Sequence, residues 1–279
     1  MAKRERKLNI ERLIKEGRGS GIGNEYKPWL KIQDVASLGR STRLKGRKTG
    51  RQHEFLSDME RNYFYILEYS DCVKDIREQF PLLPLEATLE IAHELGVEHP
   101  KHPKTDEYIV MTTDFLITEE ENGQLINLAR TIKSKNDLLD KRISEKFEIE
   151  RLYWQKKNVN WAIVTDEEID KVVAKNISFF LSYYDLNKLD AFADMTELEE
   201  QDLILEYIRR IVDTEQSIRK ISALFEEEMV LAKGTGLSLF KYLLARRVIS
   251  IDLNTIININ KKNIITIEEK VLNKELNIS

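Results

Sequence analysis

The stretch that decides the fold is MTTDFLITEEENGQLINLARTIKSK, residues 111–135. At its centre, Asn122-Gly123 predicts a two-residue type I′ turn, because such a turn needs positive φ at both central positions. The flanking segments then pair as the two strands of a hairpin. If the turn is tight, Glu121 lies opposite Gln124, and this pair sets the register of all pairs farther from the turn.

The register brings three polar side chains to one face of the hairpin. Counting outward from the turn sets Asp114 opposite Thr131. Side chains alternate along a strand, so Lys133 lies on the same face, roughly 7–8 Å from its diagonal neighbour Asp114. Two interpretations remain open at this point: a solvated surface hairpin with an ion pair of little energetic value, or a functional site.

Composition indicates a soluble globular protein. Of the 279 residues 42% are hydrophobic, enough for one large domain or two ordinary ones. The apolar runs are too short for a membrane helix, and the N-terminal MAKRERKLNIERL lacks the apolar core of a signal peptide. Cys72 is the only cysteine, which fits a reducing cytoplasm. In HELGVEH, residues 93–99, the second histidine comes two residues too late to bind zinc from one helix face.

Charge is distributed unevenly along the chain. Residues 1–53 contain 15 Lys/Arg and 5 Asp/Glu, a net charge of +10, whereas the remaining residues have a net charge of −14. The first part therefore predicts contact with DNA, although a basic tail can also be only a solubilising arm. The glycine-rich run at 17–23 could bring backbone amides close to phosphates. Candidate DNA-binding residues lie in the basic segment 39–51: Arg40, Arg43, Arg47, Lys48 and Arg51.

A helix is predicted just before the hairpin region. Ser57 can cap a helix over residues 58–70, and Glu60 follows it in the spacing of a capping box. Helix capping alone would therefore account for Glu60.

A second helix and a buried strand are predicted after the hairpin. On the helix over residues 138–157, Glu150 shares the core-facing stripe with apolar side chains. WAIVT, residues 161–165, indicates a buried strand. If this strand runs parallel to residues 125–133, a right-handed crossover lays the helix on the sheet.

Glu60, Asp114 and Lys133 together form a pattern that is typical of metal-dependent nucleases. Carboxylates bind Mg²⁺, which prefers oxygen ligands and keeps several waters. The metal polarises a phosphate and activates water, while a lysine orients that water or stabilises developing charge. The pattern is short and degenerate, so alone it predicts this chemistry only weakly.

Several longer stretches occur in the order of a known family. They are IKEGRGSGIGNEYKPWL, GRKTGRQHEFLSDMERNYFYILEY, VKDIREQFPLLP, MTTDFLI and EKFEIERLYWQKKNVNWAIVTDEEI. The REQFPLLP and LSDxE elements are the most specific of them. Over residues 10–165 the chain therefore resembles the TnsA family, the endonuclease subunits of heteromeric transposases.

The resemblance implies a fold and a metal site. Residues 1–167 would form an α/β domain like that of restriction endonucleases, with a mixed sheet flanked by helices. The catalytic residues of the family correspond to Glu60, Asp114 and Lys133, and a backbone metal ligand corresponds to the carbonyl of Ile132. The implied cofactor is Mg²⁺, as two ions, with Mn²⁺ as a substitute.

One position departs from the family pattern. Thr131 stands where the family has glutamine, and a threonine hydroxyl is a shorter and weaker metal ligand. Thr131 and the core-facing Glu150 are therefore supporting candidates.

The resemblance also implies a division of labour in cut-and-paste transposition. A TnsA-like protein cuts the 5′ ends of the transposon, a TnsB-like DDE recombinase cuts and joins the 3′ ends, and a TnsC-like ATPase connects both to the target. Two alternatives remain open: a DNA-binding or scaffolding subunit with weak catalysis, and a stand-alone restriction-like nuclease.

Residues 168–279 predict a mostly α-helical domain. Amphipathic helices are followed by a turn, a helix over about 237–246 and a short strand, an order similar to a winged helix, as in the family's C-terminal domain. The candidate recognition helix offers only Lys241, Arg246 and Arg247. We therefore expect protein docking, to the ATPase, rather than base reading.

Overall fold

The chain forms two compact units, residues 1–170 and 171–279, so the division falls three residues after the expected domain end at residue 167. The computed structural model describes residues 10–35, 39–212 and 214–275. The first nine residues of the basic N-terminal region and the last four of the chain lie outside the described residues.

A four-stranded mixed sheet organises the first unit. The sheet order is β3-β4-β5-β6, antiparallel except for the parallel pair β5 and β6. A small antiparallel hairpin, β1 with β2, precedes it. The helices and strands are α1 (Ile10–Lys15), β1 (Thr42–Lys45), β2 (Gln52–Phe55), α2 (Asp58–Tyr69), β3 (Val73–Pro81), α3 (Leu85–Leu95), β4 (Thr112–Glu121), β5 (Gln124–Ile132), α4 (Lys141–Lys156) and β6 (Asn160–Val164). The mixed sheet with helices confirms the α/β class, and the expected parallel pair is present.

The β4–β5 hairpin has the register that its turn predicts. Glu121 pairs with Gln124, and the pairing continues unbroken to Phe115 opposite Arg130. Asn122 and Gly123 have φ angles of 52° and 79°, the positive values that the turn requires. The next step outward sets Asp114 opposite Thr131, at the end of the ladder nearest β6.

Two hydrophobic clusters lie on the two faces of the sheet, because successive strand residues point to opposite sides. One cluster packs Phe64 and Leu67 of α2 against alternate sheet residues such as Phe115. The other packs Ile149 of α4 against residues such as Leu116. The sheet is therefore covered by helices on both faces, by α2 on one side and by α4 on the other.

The segment before β1 lies along β3, the edge strand. Trp29 donates its backbone N–H to the Gln79 carbonyl at 3.2 Å, and the Tyr26 hydroxyl donates to the Glu78 carbonyl at 3.0 Å. A Cβ on Gly19 would lie 2.2 Å from the Pro81 ring, so only glycine allows this approach. The Gly23 N–H donates to Asp75, so this glycine-rich run is a packing element of the sheet edge.

The second unit is mostly helical, as expected. Its helices and strands are α5 (Lys171–Phe180), α6 (Glu197–Ile211), α7 (Ile218–Glu228), α8 (Thr235–Ala245), β7 (Ile249–Ser250), β8 (Thr266–Ile267) and α9 (Glu269–Glu275). Its two short strands pair antiparallel. Within the described part of the chain, no helix is long and apolar enough to cross a membrane.

Candidate active site

Glu60 sits in the first turn of α2 and is 6% exposed. The Ser57 side chain accepts the Glu60 backbone N–H at 3.1 Å and donates its hydroxyl to Glu60 Oε1 at 2.8 Å. Glu60 Oε2 accepts the backbone N–H of Leu56 at 3.1 Å. Helix capping therefore fixes the carboxylate in place, and it can do so while the remaining lone pairs face the end of the sheet.

Asp114 lies on β4, where the hairpin ends. Its Oδ2 accepts the backbone N–H of Ile132 at 2.7 Å, and its Oδ1 accepts the Gln79 side-chain N–H at 3.2 Å. The carboxylate is thus tied to both neighbouring strands, which sets its direction.

Glu60 and Asp114 interact as two like charges. Burial raises the pKa of Glu60, and the charge of Asp114 raises it further. Burial also raises the pKa of Asp114, against hydrogen bonds and the charge of Lys133, which lower it. A buried and a half-buried carboxylate whose ionised forms are unfavourable together indicate a place for a cation.

The donor set fits a hard divalent cation. Among the described residues, no group of three or more His, Cys, Asp or Glu side chains could hold a metal ion. Mg²⁺ does not need such a group, because it binds through one or two carboxylates and keeps its remaining waters. Glu60 and Asp114, with the backbone carbonyl of Ile132, supply oxygen ligands of this kind.

Lys133 follows β5 directly and donates its backbone N–H to the Val164 carbonyl of β6 at 3.1 Å. Its ammonium lies 3.2 Å from Asp137 Oδ2. Lys133 is half-buried, and its charge acts on Asp114. The lysine is therefore held beside the site by an ion pair with its own loop.

Thr131 supports Glu150. The hydroxyls of Thr131 and Thr113 both donate to Glu150 Oε1, at 2.5 and 2.6 Å. Trp161 donates its indole N–H to the Thr131 hydroxyl at 3.2 Å. Burial raises the pKa of Glu150 to about 7, with a smaller contribution from Asp114. Glu150 is thus buried near Asp114, and the two hydrogen bonds described here both come from threonine hydroxyls.

The exposed candidates for DNA contact lie on and around β1. Arg40 and Arg43 are exposed, and Arg43 also pairs with Glu54 at 3.2 Å. Arg47 is exposed as a residue, although its guanidinium donates to the Glu68 carbonyl at 3.0 Å. These three arginines remain available for a DNA-facing surface.

Two further candidates for DNA contact, Lys48 and Arg51, have their cationic groups engaged inside the unit. Lys48 donates its ammonium to the carbonyls of Ser70 and Val73, at 2.6 and 2.7 Å, and burial lowers its pKa to about 8. The Arg51 guanidinium donates to Glu78 Oε1 at 2.7 Å and lies 5.0 Å above the Tyr26 ring. Both cations donate to partners inside the unit, although Arg51 Nε is buried without a hydrogen-bond partner.

Sequence reasoning missed Gln79, which lies between the two acidic residues. Its amide donates to Asp114, and the same side chain hydrogen-bonds Glu60. Gln79 has a φ of 49°, which the sequence gives no sign of. The only available signal was its place inside REQFPLLP.

A mixed sheet with an acid at a helix N-terminus, an aspartate on a strand and a lysine beyond the adjoining strand is typical of metal-dependent nucleases. Residues 70–166 match the family described as TnsA-like endonuclease N terminal, and residues 168–253 match TnsA endonuclease C terminal. The chain belongs to the TnsA family.

A curated relative supports this membership. Over 175 residues the chain is 47% identical to transposon Tn7 transposition protein TnsA of Escherichia coli. The match covers 63% of this chain and 63% of that relative, so it spans less than two thirds of the relative's length. Asp114, Lys133 and Glu150 fall within the first matched family region, whereas Glu60 precedes it.

Proposed function

We propose that this chain is the Mg²⁺-dependent endonuclease subunit of a transposase and hydrolyses phosphodiester bonds at the 5′ ends of a transposon. The observation that carries the proposal is the pair Glu60 and Asp114. Two carboxylates from different elements are fixed side by side, and burial together with mutual repulsion raises the pKa of Glu60. Such a pair is stabilised by binding a divalent cation.

Each residue of the site has a role in this reaction. Glu60, Asp114 and the Ile132 carbonyl would hold Mg²⁺, with two ions as the expected number and Mn²⁺ as a substitute. The metal supplies activation of water and polarisation of the phosphate. Lys133 orients the attacking water or stabilises the charge that develops on the phosphate.

Supporting residues complete the proposed site. Glu150, held by two threonine hydroxyls, keeps the buried side of the site acidic. Arg40, Arg43 and Arg47 would contact the DNA backbone, since arginine donors match phosphate oxygens.

The second unit is proposed to act through protein contacts. The order α6, α7, α8, β7 and β8 supports a winged-helix-like arrangement, with α8 in the place of a recognition helix. Lys241 of α8 lies 4.4 Å above the Phe179 ring and 4.3 Å from the Tyr183 ring centroid. An ammonium engaged by aromatic rings is poorly placed to read bases, which favours docking to a TnsC-like ATPase. The 3′ ends would be cut by a TnsB-like DDE recombinase.

The test is strand-specific cleavage of transposon-end DNA in a reconstituted reaction with the recombinase and the ATPase. Glu60→Gln should eliminate 5′ cutting while recombinase-catalysed 3′ cutting persists, because an amide cannot replace the charge of a metal-binding carboxylate. Glu148→Gln, an exposed position on α4, is the matched control and should cut normally.

The outcomes separate the alternatives. Normal 5′ cutting by a folded Glu60→Gln protein would leave this residue as a helix cap only. The Thr131 hydroxyl donates to Glu150, which would suit a scaffolding subunit without a working metal site. That alternative requires that the wild type fails to cut 5′ ends. A stand-alone nuclease requires that the purified chain cuts DNA without its partners.

A further inference from the structure

Gln79 has a backbone conformation that is unusual for the interior of a strand. Its φ is 49°, although neighbouring residues of β3 pair regularly, Glu78 with Phe115 and Phe80 with Thr113. Positive φ is uncommon for a residue with a Cβ and persists only where the surroundings impose it. Gln79 lies between these two paired residues of β3, and Asp114 lies between their partners on β4. The conformation of Gln79 therefore places its side chain beside Asp114.

Hydrogen bonds fix the orientation of the Gln79 amide. The Thr112 hydroxyl donates to Gln79 Oε1 at 3.1 Å, and Gln79 Nε2 donates to Asp114 Oδ1 at 3.2 Å. An ionised carboxylate only accepts, so the amide nitrogen must face Asp114. Thr112 occupies the opposite side of the amide and stabilises this orientation.

The same amide also reaches Glu60. The Gln79 side chain lies close enough to Glu60 to lower the pKa of that carboxylate, against burial and the charge of Asp114, which raise it. A primary amide has two N–H donors, so the nitrogen that donates to Asp114 keeps a second N–H. Gln79 is 3% exposed, so water does not replace these bonds.

We propose that Gln79 is a positioning residue that holds Asp114 at the distance from Glu60 needed to bind one divalent cation, by donating one amide N–H to Asp114 and directing the other toward Glu60. The proposal rests on the metal site of the proposed function. It does not depend on DNA cleavage or on partner proteins.

A neutral donor suits this position better than a charged one. A lysine or arginine between the carboxylates would satisfy them and compete with the metal ion. An amide offsets part of their repulsion but leaves the net negative charge that attracts a cation. Gln79 thus keeps the site ordered before the metal arrives and does not occupy it.

The experiment measures Mn²⁺ binding to the full chain without DNA, by the loss of the free Mn²⁺ resonance signal. Gln79→Met has a similar volume and no donor, and it should weaken Mn²⁺ binding about 10–100-fold, as is typical when a partner of a metal ligand is removed. Gln124→Met, the same change at an exposed strand position, should bind Mn²⁺ like the wild type. Unchanged affinity in a folded Gln79→Met protein would overturn the proposal.

A second variant covers the case in which Gln79→Met does not fold. Thr112→Val keeps Gln79 and its backbone but removes the bond that orients the amide, so it should weaken Mn²⁺ binding by a smaller factor. If Thr112→Val binds Mn²⁺ as the wild type does, the positioning role is excluded.

Asp114→Asn separates this proposal from the proposed metal site. If Asp114→Asn binds Mn²⁺ normally, the metal site itself is wrong. If Asp114→Asn loses Mn²⁺ while Gln79→Met retains it, the metal site stands and only the positioning role fails.

Discussion

Two acidic regions adjoin neighbouring residues of β3, Glu78 and Gln79, and they are stabilised in opposite ways. Glu78 is fully buried and is hydrogen-bonded by Arg51 and by His53. Burial alone would raise its pKa, but the bonds from Arg51 and His53 lower the pKa to about 2. Beside it, Glu60 and Asp114 receive neutral donors, and the pKa of each is raised by burial.

The difference separates a structural site from the proposed metal site. Glu78 carries its countercharge within the chain, so its region is complete and contributes to folding. Among the residues that the structure describes, no cation donates a hydrogen bond to Glu60 or Asp114, so a cation from outside the chain can stabilise them. Burial of acidic residues alone would not distinguish the two regions; the presence of a bound arginine does.

The largest expected effect comes from removing the countercharge of Glu78. Arg51→Met should destabilise the protein by about 3–5 kcal/mol, because breaking a buried ion pair leaves an uncompensated charge. Chemical denaturation without metal measures the change. Arg43→Met, which removes an exposed pair with Glu54, should cost less than about 1 kcal/mol.

The contrasting substitution lies in the other region. Asp114→Asn should leave the metal-free protein as stable as the wild type or make it more stable, because it removes a like charge beside Glu60. Equal losses of stability in Arg51→Met and Asp114→Asn would mean that the two regions do not differ as described.

The second prediction concerns Glu150. Its folded pKa of about 7 lies above the ordinary value of 4.5, so the native state favours the protonated form. The resulting destabilisation is absent below pH ~4.5, grows as the pH rises toward ~7 and is complete above that, at about 3 kcal/mol. Glu150→Gln accepts the same hydroxyls and should therefore be more stable than the wild type at pH ~8, but not at pH ~4.

Denaturation curves of both proteins across this pH range provide the test. Glu148→Gln is the matched control, since Glu148 is exposed and its pKa is lowered by the hydrogen bond from Arg151. A pH dependence that is identical in Glu150→Gln and the wild type would show that Glu150 does not titrate in this window. Glu60 and Asp114 contribute to the slope that remains in Glu150→Gln, because their raised pKa values act in the same direction, whereas the lowered pKa of His99 acts in the opposite direction.

Local rules explain what the sequence could predict. Asn122-Gly123 determined the hairpin register, because a two-residue turn leaves only one pairing. Ser57 determined the start of α2, because its side chain satisfies a backbone donor within the first turn. Both signals act between residues that are close in the chain.

Long-range pairing explains what the sequence could not predict. Arg51 looked like a DNA contact because charge counts do not tell which way a side chain points. Its partner Glu78 is 27 residues away. Gln79 meets Asp114 across 35 residues, and its positive φ arises from the packing of the sheet edge. Lys48 is likewise turned inward by carbonyls more than 20 residues away.

The third prediction compares exposed arginines with a lysine whose ammonium is bound inside the unit. Replacing Arg40, Arg43 and Arg47 by alanine should lower the dependence of DNA affinity on salt by about 0.9 per lost phosphate contact in the log–log slope. Between about 50 and about 200 mM salt, three lost contacts remove roughly a 40-fold change in affinity. Lys48→Met, at an inward position, is the comparison and should leave the slope unchanged. An unchanged slope in the triple variant would remove these arginines from the DNA surface.

The smallest expected effect concerns Lys133, the cation that acts on Asp114. Its ion pair with Asp137 is partly exposed, at 33% and 49%, and such pairs contribute about 0–1 kcal/mol. Asp137→Asn should therefore change the free energy of unfolding by less than about 1 kcal/mol. Because the ammonium of Lys133 would no longer be shared with Asp137, it would act on the phosphate alone, and the rate of 5′ cleavage should rise up to about fivefold, the kinetic equivalent of the same energy. Glu167→Gln removes the similarly exposed pair with Lys135, at 2.7 Å, and should leave cleavage unchanged. A slower Asp137→Asn enzyme would instead mean that Asp137 holds Lys133 in its working position, so that the site would need this one internal ion pair as Glu78 needs its own.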